Sequence, residues 1–254
     1  MRIAYSGTFW SMATTGSGQY LQHLLRALRQ VAPQCEQVLL LPDFMSLSAF
    51  PEEVESARVA TPLDRHHEAL AKVWYQQIAL PRACRRQQVD LVHIPYFAPP
   101  MFSRIPTVVT IHDLIPLLLP AYGNTRAVRT YMRLVSRTAR RADMILTDSQ
   151  ASASDIRRLL SIPDERLRVT YLAADEQYRP APRESCQELQ RRLGLQPPYL
   201  LYLGGFDCRK NVIGLLHGLA QCRERLSGVS LVIAGKLPEV DTPFAADPRP
   251  SRPR

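Results

Sequence analysis

No stretch of this chain stays apolar for the roughly 18 residues that a bilayer-spanning helix needs. Its opening residues, Met1-Arg2-Ile3-Ala4-Tyr5, run straight into a strand-like pattern, without the apolar segment and cleavage site of a signal peptide. Cysteine is sparse and scattered: Cys35, Cys84, Cys186, Cys208 and Cys222 are odd in number and include no CxxC pair. Neither a disulfide framework nor a zinc site is indicated, and a reduced, cytosolic compartment is the expectation. Acidic residues are also short, 23 against 32 Lys and Arg, for a net charge of +9. That excess points to anionic partners, whether nucleic acid, acidic lipid or phosphorylated small molecules. No nucleic-acid-binding motif or interleaved aromatic platform is present, so nucleic acid is not expected among them.

What is present is an ordinary globular composition, 254 residues with 46% apolar and 22% charged, enough for one large domain or two small ones. Arg2 to Ser6 reads as a first strand, followed by a loop rich in Gly, Ser and Thr that ends in Gly16-Ser17-Gly18. An amphipathic helix follows from about Gly18 to Val31, with Tyr20, Leu21, Leu24, Leu25 and Leu28 at helical spacing. Val38 to Leu41 makes a second strand. Strand, glycine loop, helix and strand together open a nucleotide-binding α/β domain. The loop is not a dinucleotide fingerprint, because Leu21 stands where a third Gly or Ala is required. It suits a phosphate at a helix N-terminus, or a flexible turn.

Residues 46–65 show no clear pattern, His67 to Gln88 reads as a helix, and Val89 to Ile94 as a strand in which His93 is a satisfied core residue. The centre of the chain is Ile105-Pro106-Thr107-Val108-Val109-Thr110-Ile111-His112-Asp113-Leu114-Ile115-Pro116. Thr107 to Ile111 is β-branched and unbroken, as expected of a strand buried on both faces. His112 and Asp113 fall where it should end, the edge at which open α/β sheets bind ligands. The pair is either a site or a capping turn.

From Asn124 to Ala142 a helix is expected in which Arg126, Arg129, Arg133, Arg137, Arg140 and Arg141 share an arc of roughly 120° on a 3.6-residue wheel. No acidic residue interrupts it. Solvated helix faces usually mix signs, so this one suits an anionic membrane surface or a phosphorylated acceptor, with a plain solvated face as the alternative. Met144 to Thr147 is the next strand, Asp148-Ser149 offer caps for a helix to about Leu160, and Arg168 to Tyr171 closes the unit. A proline-flanked segment reads as a linker. Tyr199 to Leu203, Gly204-Gly205-Phe206-Asp207-Cys208-Arg209-Lys210-Asn211, an apolar helix to about Leu226 and Val229 to Ala234 open a second α/β domain. Arg209 and Lys210 precede its helix, where side-chain charge and helix dipole can hold a diphosphate.

With these pieces placed, the chain resembles the family 4 glycosyltransferases, retaining enzymes of the GT-B fold. The glycine loop with Tyr20-Leu21, Val109 to Pro116, Thr147-Asp148-Ser149, and Tyr202 to Phe206 with Arg209-Lys210-Asn211 carry the resemblance. It implies an α/β, GT-B-like protein: residues 1–174 a Rossmann-like parallel-sheet domain on the acceptor side, 175–198 a linker, and 199–236 the incomplete start of a Rossmann-like nucleotide-sugar domain. A Pro/Arg-rich tail at 237–254 is expected to be disordered. By the same resemblance, His112 contacts the donor sugar as the active-site histidine, and Gly16 and Gly18 border the donor diphosphate and the acceptor. Lys210, with Arg209 and the Gly205 loop, neutralises the leaving diphosphate, so no cofactor and no metal are expected.

Two departures stand out. Gly205 occupies a position where many relatives carry Arg, and the family's late pair of spaced glutamates is missing; Glu176 and Glu184 match the spacing but flank prolines. The expected function is retaining transfer of a hexosyl group, mannosyl among the candidates, from a nucleotide diphosphate sugar to a lipid-linked or polysaccharide acceptor. The expected location is cytoplasmic, at the inner face of the membrane. A catalytically inactive, truncated remnant that binds acceptor or membrane is the alternative.

Overall fold

A computed structural model of the chain describes residues 1–12, 14–45, 54–119, 122 and 125–235. The expected tail at 237–254, Lys236 and Asn124 lie outside the described residues. The chain divides into two compact units, Met1–Ala173 and Ala174–Arg254.

In the first unit the order is β1 (Arg2–Ser6), α1 (Gly16–Val31), β2 (Glu36–Pro42), β3 (Glu55–Val59), α2 (Glu68–Trp74), α3 (Leu80–Arg86), β4 (Leu91–Ile94) and β5 (Thr107–Thr110). It continues with α4 (Ile115–Leu118), α5 (Arg126–Ala139), β6 (Met144–Thr147), α6 (Gln150–Leu160) and β7 (Leu167–Val169). The strands form one seven-stranded sheet in the order β3-β2-β1-β4-β5-β6-β7. Every neighbouring pair is parallel.

Alternate residues explain why the strands read as continuous apolar runs. Ile3 and Tyr5 of β1 and Leu39 and Leu41 of β2 pack with Leu21 and Leu25 of α1. Ala4, Val38 and Leu40 belong to the other core, with Tyr75, Leu80, Met132, Val135 and Ile156. Both faces are covered, so residues of both parities must be apolar, and each fully buried leucine contributes about 1.5–3 kcal/mol. The chain runs outward from β1 to β3 and then returns to the opposite side of β1 as β4. That reversal opens a crevice at the carboxyl ends of the strands, which is where such sheets bind ligands.

Two elements differ from the sequence expectation. The patternless stretch contains β3, an edge strand in which only Val59 is buried. Its polarity is a property of the edge: Arg2 donates to Glu55 at 2.6 Å and Arg58 to Asp43 at 3.0 Å, charge that discourages pairing with another chain. The single helix expected over 67–88 is split by a π-helical turn at Tyr75–Ala79. Pro81 follows at the start of α3 and has no N–H to give the preceding turn, which the wider turn accommodates. The same turn places the buried Tyr75 hydroxyl on the Leu40 carbonyl at 2.6 Å.

The second unit holds α7 (Arg183–Leu193), within the segment read as a linker, then β8 (Tyr199–Leu203), α8 (Val212–Gln221) and β9 (Ser230–Ala234). β8 and β9 are parallel and in register from Tyr199–Ser230 to Leu203–Ala234. Gly204 and Gly235 follow them so closely that a Cβ on Gly235 would lie 2.1 Å from the Gly204 carbonyl oxygen. Leu201 and Leu203 are 61% and 78% exposed.

Candidate active site

The site begins with strand register. Val108 faces Met144, Val109 faces Ile145 and Thr110 faces Leu146, a constant offset along β5 and β6. Carried two residues past the last pair, that offset brings His112 to Asp148. The imidazole Nδ1 lies 2.6 Å from Asp148 Oδ2, with the two side chains 22% and 18% exposed. A carboxylate oxygen accepts, so Nδ1 carries a proton and Nε2 is the free face of the ring. The His-Asp dipeptide therefore divides its roles, since Asp113 Oδ1 accepts the Ile115 N–H at 3.0 Å and makes the turn. Asp148 is likewise not the helix cap. Ser149 caps α6 by accepting the Ser152 N–H at 3.1 Å, and the Ser152 hydroxyl donates to the His112 carbonyl at 2.8 Å.

Tyr20, on the second turn of α1, sets its ring edge-on to His112 at 4.8 Å between centroids and 82° between planes. Its hydroxyl lies 3.1 Å from Thr110 Oγ1, which lies 2.8 Å from His93 Nε2. Burial raises the Tyr20 phenol, opposed by the Thr110 hydrogen bond and reinforced by the Asp148 charge. Burial likewise lowers His93 to about 4, with the neighbouring His112 adding to the shift. His93 is thus a neutral, hydrogen-bonded core residue, as its apolar surroundings in the sequence imply. His112 Nε2, Asp148 Oδ1 and Thr147 Oγ1 are shielded from solvent and have no partner among the described residues. Three unmet polar atoms at the carboxyl edge of β5 and β6 mark a place where a polar ligand or water belongs.

The two glycines of the loop behave differently. Gly16 starts α1 and has open space where a Cβ would stand. Gly18 is buried, its N–H is taken by the Thr15 cap at 3.2 Å, and a Cβ there would lie 2.1 Å from the Met12 carbonyl oxygen. Gly18 closes the loop on itself, which gives it a packing role instead of a free backbone donor. In the second unit Gly205 is open, and its carbonyl accepts the Tyr202 hydroxyl at 2.6 Å. Arg209 Nε lies 3.3 Å from Asp207 Oδ1, whereas exposed Lys210 has no ion-pair partner among the described residues. Asn211 caps α8 through the Gly214 N–H at 3.2 Å.

The profile of Glycosyltransferase Family 4 matches residues 14–178, well over half of the chain. The chain belongs to Glycosyltransferase Family 4. The match takes in Gly16, Gly18, His112 and Asp148. The O-antigen chain mannosyltransferase B of Escherichia coli is 29% identical over 229 residues, covering 85% of this chain and 59% of that one. The chain thus spans about three fifths of that relative's length. The fold is α/β and GT-B-like. It is similar to Anabaena Alr3699/HepE, solved with UDP and glucose, at a TM-score of 0.63 and 17% identity over 92% of this chain and 60% of that one. It is similar too to WaaG, a glycosyltransferase involved in lipopolysaccharide biosynthesis, at 0.65 and 14% over 93% and 64%.

The sequence singles out His112 as a candidate but does not show Asp148 as its partner, nor Tyr20, Thr110 and His93 as the groups behind it. The available signal is the constant spacing of two parallel strands, which pairs residues 36 apart. On α5 the structure places Arg126, Arg129, Arg133 and Arg137 on the exposed side, with Met132, Val135, Thr138 and Ala139 buried. Among the described residues no group of three or more His, Cys, Asp or Glu could hold a metal, and no helix is long and apolar enough to cross a membrane.

Proposed function

We propose that the chain serves retaining transfer of a hexosyl group, mannose in the first instance, from a nucleotide diphosphate sugar to a lipid-linked or polysaccharide acceptor. The observation that carries this reading is His112: fixed by Asp148 at the ligand-binding edge of the sheet, with an unmet Nε2. An imidazole held in that orientation presents Nε2 to a sugar hydroxyl and orients the donor at the reacting carbon. The Gly16 and Ser17 N–H groups at the start of α1, which have no partner among the described residues, suit a phosphate oxygen. In the second unit, Lys210, with Arg209 and the open backbone at Gly205, meets the negative charge that grows on the leaving diphosphate. Fixed cations can supply that stabilisation without a metal. The family and the mannosyltransferase relative support the sugar class.

The acceptor side is read as facing an anionic membrane surface. The exposed arginines of α5 follow Leu117, Leu118 and Leu119, each 37–38% exposed, so apolar anchors and a single-sign basic face occur in one segment.

The test is release of nucleoside diphosphate from a panel of nucleotide diphosphate hexoses, with and without lipid-linked acceptor. Turnover with a mannosyl donor, lost in His112→Ala and in Lys210→Ala while circular dichroism is unchanged, is expected. Folded chain that turns over none of the donors overturns the reading for this chain.

A further inference from the structure

The first unit has a second concave feature, at the edge of the sheet opposite His112. Thr107 opens β5 and lines it, whereas His112 follows the strand's end, five extended residues or roughly 16 Å away along the chain. The groove encloses about 750 Å³ between α3, the 99–105 loop and the residues that follow α5. Four guanidinium groups line it, from Arg82, Arg85, Arg104 and Arg141. None of the four has a carboxylate partner among the described residues. The one acid in the lining, Asp143, is already engaged, accepting the Thr107 N–H at 2.8 Å.

The walls are built rather than loose. Gln77 ties the loop to the helix layer, donating to the Pro99 carbonyl at 3.2 Å and accepting the Met101 N–H at 2.8 Å. The Arg141 guanidinium stands 4.9 Å from the centre of the Phe102 ring, a cation–π contact that holds it at the rim. Arg82 and Arg85 are three residues apart on α3 and so share one face. Pro81, Ile78 and Pro99 supply apolar surface between the charges. Unneutralised guanidiniums gathered around one opening repel each other, a cost that an anion removes. Their planar forks match phosphate oxygens two at a time.

We propose that this groove binds a phosphate-bearing anion, a diphosphate or a phosphomonoester, at a site separate from the sugar-transfer centre. The proposal does not depend on the glycosyltransferase reading. The anion is either a free phosphate compound or the headgroup of an anionic lipid, and the experiment separates these sources.

Inorganic diphosphate is titrated into the whole chain by calorimetry, and into the Arg82→Glu/Arg85→Glu and Arg82→Lys/Arg85→Lys variants. Parallel samples are sedimented with phosphatidylcholine vesicles with and without phosphatidylglycerol. Wild type binds diphosphate, the double Glu variant binds it at least about tenfold more weakly, and the Lys variant keeps part of the affinity. The Arg129→Glu/Arg133→Glu/Arg137→Glu variant binds as wild type, which separates the groove from α5. Vesicle sedimentation weakened in the double Glu variant assigns the headgroup as the source; diphosphate binding with sedimentation unchanged in that variant assigns a free phosphate compound. Absence of diphosphate binding in folded wild type, or binding undiminished in the folded Glu variant, overturns the proposal.

Discussion

The imidazole of His112 and the carboxylate of Asp148 meet at 2.6 Å from the ends of two neighbouring parallel strands. The contact has a chemical consequence, because an acceptor-only partner at Nδ1 forces a proton there and leaves Nε2 as the face turned to a ligand. Asp148→Asn removes that constraint, since an amide can offer either oxygen or NH₂ to the ring. Donor turnover is expected to fall about tenfold to a hundredfold, the worth of one charge-assisted hydrogen bond. Nitrogen NMR of the imidazole should show a single Nδ1-protonated tautomer in the wild type and a mixture in the variant. A pure tautomer and full turnover in Asp148→Asn would dismiss the coupling.

The glycine loop separates packing from binding. In Gly18→Ala the new methyl meets the Met12 carbonyl at 2.1 Å, so the loop must shift, and overpacking of this kind destabilises by about 1–3 kcal/mol. Gly16→Ala has open space and a helical position, and should leave stability unchanged or raise it by about 0.4–1 kcal/mol. Urea unfolding of both variants checks the contrast. If Gly16 borders the donor phosphates, its Ala variant keeps its stability but raises KM for the donor; an unchanged KM removes Gly16 from the site.

These contrasts show which features the sequence carried and which it could not. The buried strands were legible because a sheet covered on both faces favours apolar residues at every position, as in Val38 to Leu41, or an unbroken β-branched run, as in Thr107 to Ile111. The edge strand Glu55–Val59 was not, because its exposure allows it to be charged. His112 announced itself at the end of a strand, but Asp148 looked like a helix cap, a role that Ser149 fills. Local chemistry reads the same for a capping aspartate and a histidine partner. Only the register of β5 on β6, a long-range property, tells them apart. Gly18 shows the converse, a motif residue whose local reason is the loop itself.

His93 predicts a pH dependence. Its folded-state pKa is lowered to about 4 from an ordinary 6.5, so between those values the unfolded chain binds the extra proton. Its stabilising contribution is intact above about pH 6.5, declines as pH falls through the window, and is gone below about 4. For a residue only 6% exposed, the full loss is about 3 kcal/mol. Urea midpoints at pH 7, 5.5 and 4.5 should fall progressively in the wild type. His93→Gln can keep a hydrogen bond to Thr110 without titrating, so its profile should be flatter across that window. Parallel profiles would remove His93 as the cause.

The arginine face of α5 carries a single sign of charge. Residues 126–139 hold no acid, and the buried side of the helix is already committed to the core through Met132, Val135 and Ala139. Arg129, Arg133 and Arg137 can therefore be reversed without touching a packed side chain, and Arg129→Glu/Arg133→Glu/Arg137→Glu should unfold within about 0.5 kcal/mol of the wild type. Each basic residue near an anionic bilayer is worth about 1 kcal/mol, so reversing three should abolish sedimentation with phosphatidylglycerol vesicles at low salt. Raising the ionic strength should release the wild type as well, because exposed charges are screened over roughly 8–10 Å near physiological salt. Sedimentation that survives the triple reversal would leave α5 as an ordinary solvated face.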